Sequence, residues 1–268
     1  MKIKIPTTIF LIFLFTFFII SNVEGNNDVI VLTYHHFVEE GPASSAEMTV
    51  SDFNNQMKYL YENDYNIISE TQFIKYNEES SFPEKSILLT FDDGYYSFYE
   101  YAYPVLKKYN FPAIVFPIIS SMPGLERQPV YSDRLSFTDM VKLNNNSPVI
   151  NFGSHSYNLH YFEDEEPAIY QLNSECTDEY TCRIRRDLRL SRDLIEDQLD
   201  KVNNLTSLAW PYGYYTEEAE KIAKDLGFEL IFKLEDRPYN PGLDKISIPR
   251  YGITSGSLTH LKDILDDF

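Results

Sequence analysis

The sequence predicts an α/β fold built on a parallel sheet, either open or closed into a barrel. Three observations predict it. Short apolar runs rich in β-branched and aromatic residues recur along the 268-residue chain, continuous rather than alternating, as befits strands covered on both faces. Helical patterns lie between these runs, and strand–helix alternation of this kind brings parallel strands together. No internal repeat and no Gly/Ser linker interrupts the alternation, so residues 26–268 parse as one domain.

The elements follow in order. Residues 1–25 stand apart: Lys2 and Lys4 precede an apolar run over 9–20, and Val23 and Gly25 close it. This is the pattern of a secretory signal peptide, with a retained membrane anchor as the alternative, and it places the rest of the protein outside the cytosol, secreted or at the cell surface. The first strand is expected at 29–33. Phe53, Met57, Leu60 and Tyr61 then repeat at helical spacing. Strands follow at 87–91, 113–117 and 149–153. The polar stretch Glu163–Thr181 reads as an inserted loop. Ile184, Leu188, Ile195 and Leu199 mark a helix, and 205–210 the next strand. Thr216 caps a helix with Glu217 and Glu218 in its first turn and Gly227 at its end. Strands at 230–232 and 246–248 complete the set. Beyond them Ser257 caps a stripe of Leu258, Leu261, Ile264 and Leu265.

Composition narrows the class of partner. Hydrophobic residues are 43% of the chain, enough for a sizeable core and against disorder as the main state. With 41 Asp+Glu against 23 Lys+Arg, the formal net charge is −18, which excludes nucleic-acid backbones and suits a neutral or cationic ligand. Cys176 and Cys182 can close a local loop in an oxidising compartment. The triplets beginning at Asn145 and Asn204 fit the glycosylation pattern.

In parallel α/β folds, functional groups gather at the C-terminal ends of strands. Three predicted strands end in unusual residues: Thr33-Tyr34-His35-His36, Thr90-Phe91-Asp92-Asp93-Gly94 and Gly153-Ser154-His155, with His160 close behind. Four of the five histidines fall in two of these clusters. Adjacent carboxylates on a strand point to opposite sides unless the backbone turns, and Gly94 permits a turn. Two carboxylates there are comfortably ionised only beside a cation, so one on a metal and the other kept as a base resolves the conflict. His155 and His160 are too far around a helix to share an ion, but converge if a turn follows a strand. Two imidazoles and a carboxylate form a ligand set for a divalent transition metal.

These residues resemble the polysaccharide deacetylases (carbohydrate esterase family 4, the NodB homology domain). Thr90-Phe91-Asp92-Asp93-Gly94 is similar to the family's first motif, and His155-Ser156 with His160 to its second. The five-residue spacing of the histidines resembles the branch acting on poly-β-1,6-N-acetylglucosamine, as do Leu32-Thr33-Tyr34-His35, Arg183-Ile184 with Asp187-Leu188, and Ala209-Trp210-Pro211-Tyr212-Gly213. The resemblance spans most of residues 28–252. It implies a distorted (β/α)7 barrel and a metal-dependent hydrolase, acting as a monomer, that removes N-acetyl groups from an N-acetylglucosamine polymer and releases acetate. Asp93, His155 and His160 would hold the ion, Zn²⁺ or else Ni²⁺, Co²⁺ or Fe²⁺. Asp92 would be the catalytic base, and His35 the general acid in preference to His36 or His260. The Tyr212 N–H would stabilise the oxyanion, and Arg183 would orient Asp92. Trp210, Pro211, Tyr212 and Gly213 would contact the sugar. The other readings are a deacetylase of peptidoglycan, chitin or acetylxylan, and a secreted carbohydrate-binding protein without catalysis.

Overall fold

The computed structural model describes residues 28–41, 44–124, 133–146, 150–199, 205–241, 245, 247–253 and 258–266. The expected export segment 1–25, Asn204, Ser147 of the other glycosylation triplet and the expected cap Ser257 lie outside the described residues. In chain order the strands and α-helices are β1 (Ile30–Tyr34), β2 (His36–Val38), β3 (Glu47–Thr49), α1 (Val50–Glu62), β4 (Asn66–Ile67), α2 (Glu70–Glu78), β5 (Ser86–Asp93), α3 (Tyr103–Tyr109), β6 (Ala113–Pro117), α4 (Phe137–Asn144), β7 (Ile150–Phe152), β8 (Phe162–Glu163), β9 (Glu166–Pro167), α5 (Thr177–Gln198), β10 (Ser207–Ala209), α6 (Glu217–Asp225), β11 (Leu230–Leu234), β12 (Ile248–Gly252) and α7 (Leu258–Asp266).

The wall is a parallel sheet in the order β10-β11-β12-β1-β5-β6-β7, with β4 alongside β5. Its two edges meet without a full ladder. Ser154, just past β7, bridges Leu208 of β10: the Ser154 N–H donates to Ser207 O and the Ala209 N–H to Ser154 O, each at 2.9 Å. The Glu70 carboxylate spans the same seam, accepting from Asn151 on β7 and Ser207 on β10. The sheet is thus nearly closed into the distorted (β/α)7 barrel.

Strand alternation sorts the core. Ile30, Leu32 and Tyr34 of β1 face outward and pack on Phe53, Met57 and Leu60 of α1. Val31, Leu88, Ile114, Phe116, Phe232 and Ile248 fill the barrel. Towards the C-terminal ends of the strands the inward positions become polar: Thr33, Thr90, Asp92 and Arg250 are all buried. That change of composition marks the functional end.

Several expectations are corrected. The last strand runs from Ile248 to Gly252, because Arg250 is an inward-facing residue of the wall, and a charged residue hides a strand from an apolar reading. Tyr61 is 57% exposed and is not part of the buried face of α1, which is Phe53, Gln56, Met57 and Leu60. The stretch 163–181 is not a plain loop. Asp164 and Glu165 take positive φ (50° and 69°) and turn the antiparallel β8–β9 hairpin. Helix α5 already begins at Thr177; its polar first turn, in which Glu179 accepts the Cys176 N–H at 2.8 Å, looked like loop. Cys176 and Cys182 are exposed and unbridged. The α6 cap holds as expected: Thr216 Oγ1 accepts the Ala219 N–H at 3.0 Å, and Gly227 takes φ 91°. Among the described residues no helix is long and apolar enough to cross a membrane.

Candidate metal centre and active site

Leu88, Thr90 and Asp92 alternate inward along β5, so regular pleating would send Asp93 outward. It does not, because the strand turns at Asp93 itself, whose φ is 68°, followed by Gly94 at 69°. A side chain at Gly94 would also collide with Pro117, whose Cβ would lie 2.7 Å from the added carbon. Arg134 pins the turn by donating to Asp93 O at 2.9 Å while its guanidinium lies 3.6 Å from the Tyr95 ring centroid. Both carboxylates therefore face one space.

His155 enters that space from the end of β7. Its Nδ1 lies 2.8 Å from Ala209 O; a carbonyl only accepts, so Nδ1 carries the proton and Nε2 is the free lone pair. His155 Nε2 lies 3.5 Å from Asp93 Oδ1 and His160 Nε2 lies 3.3 Å from the same oxygen. The loop between the histidines is fastened from behind. Asp187 on α5 accepts the N–H groups of Tyr157 and Asn158, each at 2.8 Å. Burial raises the Asp187 carboxyl to about 7, against the pull of those two donors and of Arg183. Ser154 Oγ meets Ser191 Oγ of α5 at 2.6 Å and accepts the Ser156 N–H, and Ser156 takes φ 70°.

Asp93, His155 and His160 each offer a ligand atom, all within 4.8 Å of one another. Burial lowers both imidazoles, His160 to about 4, although the carboxylates oppose it, so both are neutral ligands near pH 7. Asp93 Oδ1 is buried and has no hydrogen-bond donor among the described residues. An orphaned carboxylate oxygen facing two neutral nitrogens fits a divalent cation.

Asp92 lies beside this set, its Oδ2 4.0 Å from His155 Nε2. Burial pushes its carboxyl upward, but Arg250, with His155 and His35 in support, more than reverses this and holds it well below the usual carboxylate range. Arg250 grips it bidentately, at 2.8 Å and 2.7 Å, and also reaches Thr33 and Thr90. This corrects the expectation for Arg183, whose guanidinium is spent on Glu175 and the carbonyls of Ala168 and Tyr170. Sequence reasoning missed Arg250; its one signal was an arginine flanked by apolar residues in Ile248-Pro249-Arg250-Tyr251.

The remaining candidates separate. Half-buried His35 is near enough to Asp92 to act on it electrostatically. His36 is turned to Glu47, 3.4 Å away, and stacks on Tyr95. His260 is exposed on α7, outside the barrel. Tyr212 takes φ 57° in a tight turn after β10, and its ring covers His160 at a centroid distance of 4.1 Å. That turn is closed by the N–H groups of Gly213 and Tyr214, which leaves the Tyr212 N–H out of its hydrogen bonding. Trp210 and Pro211 are corrections: both are buried, Trp210 stacks on Tyr215, and neither presents a face to a sugar. Gly213 is needed for the turn, where an added side chain would strike Leu234 at 2.8 Å.

Comparison with known proteins agrees with this geometry. The sequence model of the family described as polysaccharide deacetylase matches residues 79–231, more than half of the chain. A poly-beta-1,6-N-acetyl-D-glucosamine N-deacetylase of Staphylococcus aureus is 26% identical over 255 residues, covering 90% of this chain and 84% of the relative. A de-N-acetylase structure from Aggregatibacter actinomycetemcomitans is 26% identical and superposes with a TM-score of 0.77 over 88% of this chain and 99% of that one. The structure of IcaB from Ammonifex degensii, 24% identical, shares the fold, with a TM-score of 0.75 over 90% of this chain and 97% of that one. The chain belongs to the polysaccharide deacetylase family, whose enzymes are metal-dependent.

Proposed function

We propose that this protein is a zinc-dependent N-deacetylase of poly-β-1,6-N-acetylglucosamine. One observation carries the reading: Asp93, His155 and His160 converge on one point with an ionised carboxylate, Asp92, left beside it. The likeness to the staphylococcal enzyme supports the polymer. An ion held by Asp93, His155 and His160 supplies Lewis acidity toward an acetamide carbonyl and a water molecule.

The chain's own groups do the rest. Arg250 keeps Asp92 ionised and aims it, so that Asp92 takes the proton of the water attacking the acetyl carbon. The Tyr212 N–H donates to the oxygen on which negative charge develops. His35, protonated, gives a proton to the departing amine, a poor leaving group until it is protonated. The carbon–nitrogen bond breaks and leaves acetate and a glucosamine unit. The chain's own metal ligands and acid–base groups would suffice for the reaction, in keeping with action as a monomer. The basic and apolar pattern of residues 1–25 supports export, so the enzyme would meet its polymer outside the cytosol. Acetate release on β-1,6- and β-1,4-linked acetylated oligosaccharides, with and without chelator, tests the reading. Chelator-sensitive release from the β-1,6 series is expected; stoichiometric metal with no acetate from any glycan would favour a binding protein instead.

A further inference from the structure

The opposite end of the barrel carries a second groove that the reaction does not use. It has a volume of about 370 Å³ and lies between the α1–β4 turn, the start of α2 and the α3–β6 turn. This is the N-terminal rim: Asn66 of β4 pairs with Ser86, the first residue of β5, and Phe111 stands just before β6. The eight residues of β5 separate it from Asp93, about 23 Å away at the rise of a strand.

Its lining is unusual for a rim that only stabilises the fold. Tyr61, 57% exposed, is the most exposed large hydrophobic side chain among the described residues. Its ring centroid lies 5.0 Å from that of half-buried Tyr109, the two rings tilted by 37° along the groove wall, while Phe111, 7% exposed, packs beneath them as part of the core. Around them stand the exposed side chains of Gln72, Asn110 and Asp64. Asn110 and Asp64 each hold φ 56°, as residues of tight turns that project from the rim. Aromatic faces bordered by amides and one carboxylate are complementary to a pyranose, whose axial C–H groups present a flat apolar face and whose equatorial substituents demand donors and acceptors. A lipid would leave the amides unpaired, and a polyanion would meet Asp64 on a molecule of net charge −18.

We infer that the Tyr61–Tyr109 groove is a second, non-catalytic glycan-binding site that holds a distant stretch of the polymer while the metal end works. The polymer as occupant rests on the proposed function; the binding site itself does not. The test compares the full-length protein with Tyr61→Ala, Tyr109→Ala and the double variant. It measures retention on long-chain poly-β-1,6-N-acetylglucosamine, KM for that polymer, and turnover of a short β-1,6 oligosaccharide. The expected result is about a tenfold loss of polymer affinity with a matching rise in KM for each stacking ring removed, and unchanged oligosaccharide turnover. Tyr61→Trp, which keeps the face, should retain binding and controls for folding. Undiminished retention by the double variant, or loss in Tyr61→Trp equal to that in Tyr61→Ala, would overturn the inference. If the wild type binds polymer through these rings yet releases no acetate from any glycan, the groove stands and the catalytic reading falls.

Discussion

Arg250, with no exposed surface, grips Asp92 through two nitrogens and has no other carboxylate partner among the described residues. Removing one member of a buried pair leaves an uncompensated charge, which costs about 3–5 kcal/mol. Arg250→Met should therefore lower stability to urea by that order and abolish acetate release. Arg250→Met combined with Asp92→Asn should recover most of the stability and none of the activity. Asp93→Ala and His155→Ala should each lose bound metal while keeping the fold, whereas Asp92→Asn should keep the metal and lose turnover; equilibrium dialysis read beside acetate release separates the two classes. A third expectation concerns pH. His160 is lowered to about 4 from 6.5. Between these values the unfolded chain takes up a proton that the folded, metal-free protein refuses. Stability is thus complete above about 6.5 and declines as pH falls toward about 4. His160→Gln should flatten that part of the pH–stability curve. At this scale the sequence was most legible where rare residues ended apolar runs: Asp92, Asp93, His155 and His160. The partner of Asp92 was not legible, because it lies 158 residues away and a single sequence carries no record of such pairing. Arg183 drew attention through the likeness of Arg183-Ile184 with Asp187-Leu188 to the family branch, not through any sign of a pairing with Asp92.

Helix α5 shows how an element distant from the chemistry sets its geometry. Its Asp187 and Ser191 hold the segment 154–158 from behind, and so fix where His155 and His160 stand relative to each other. Asp187→Ala removes the acceptor for two N–H groups, and metal affinity should fall about 10–100-fold, the usual effect of losing such support; competition with a chromogenic chelator measures it. The cap of α6 offers a simpler case. Thr216→Ala frees the Ala219 N–H and the Tyr180 hydroxyl contact and should cost about 1 kcal/mol in thermal or urea unfolding, with metal content unchanged. The wall strands were legible where, as in β1, β5 and β6, every residue is buried and the strand reads largely as an apolar run. Where an element begins with polar residues, as α5 does, or carries an inward charge, as β12 does, composition concealed its bounds. The exposed Tyr61 shows the reverse: helical spacing placed it on the buried stripe, although it lies on the solvent side of α1.

At the scale of the whole molecule, the barrel is a spiral of seven parallel strands whose first and last edges are joined, among the described residues, by the Ser154–Leu208 bridge, the Glu70 clamp and His155. His155 stands at that join: its N–H donates to Pro117 O at the end of β6, and its Nδ1 reaches Ala209 O on β10. A residue whose backbone is tied to β6 and whose ring is tied to β10, with its remaining ring nitrogen aimed at Asp93, works as a stitch. Loading the cation would therefore tighten the whole cylinder as well as equip it for hydrolysis. Amide deuterium uptake at residues 153–155 and 207–209 should slow in the loaded protein far more than uptake along the β1–β5 ladder, making the weakest join in the wall a gauge of occupancy.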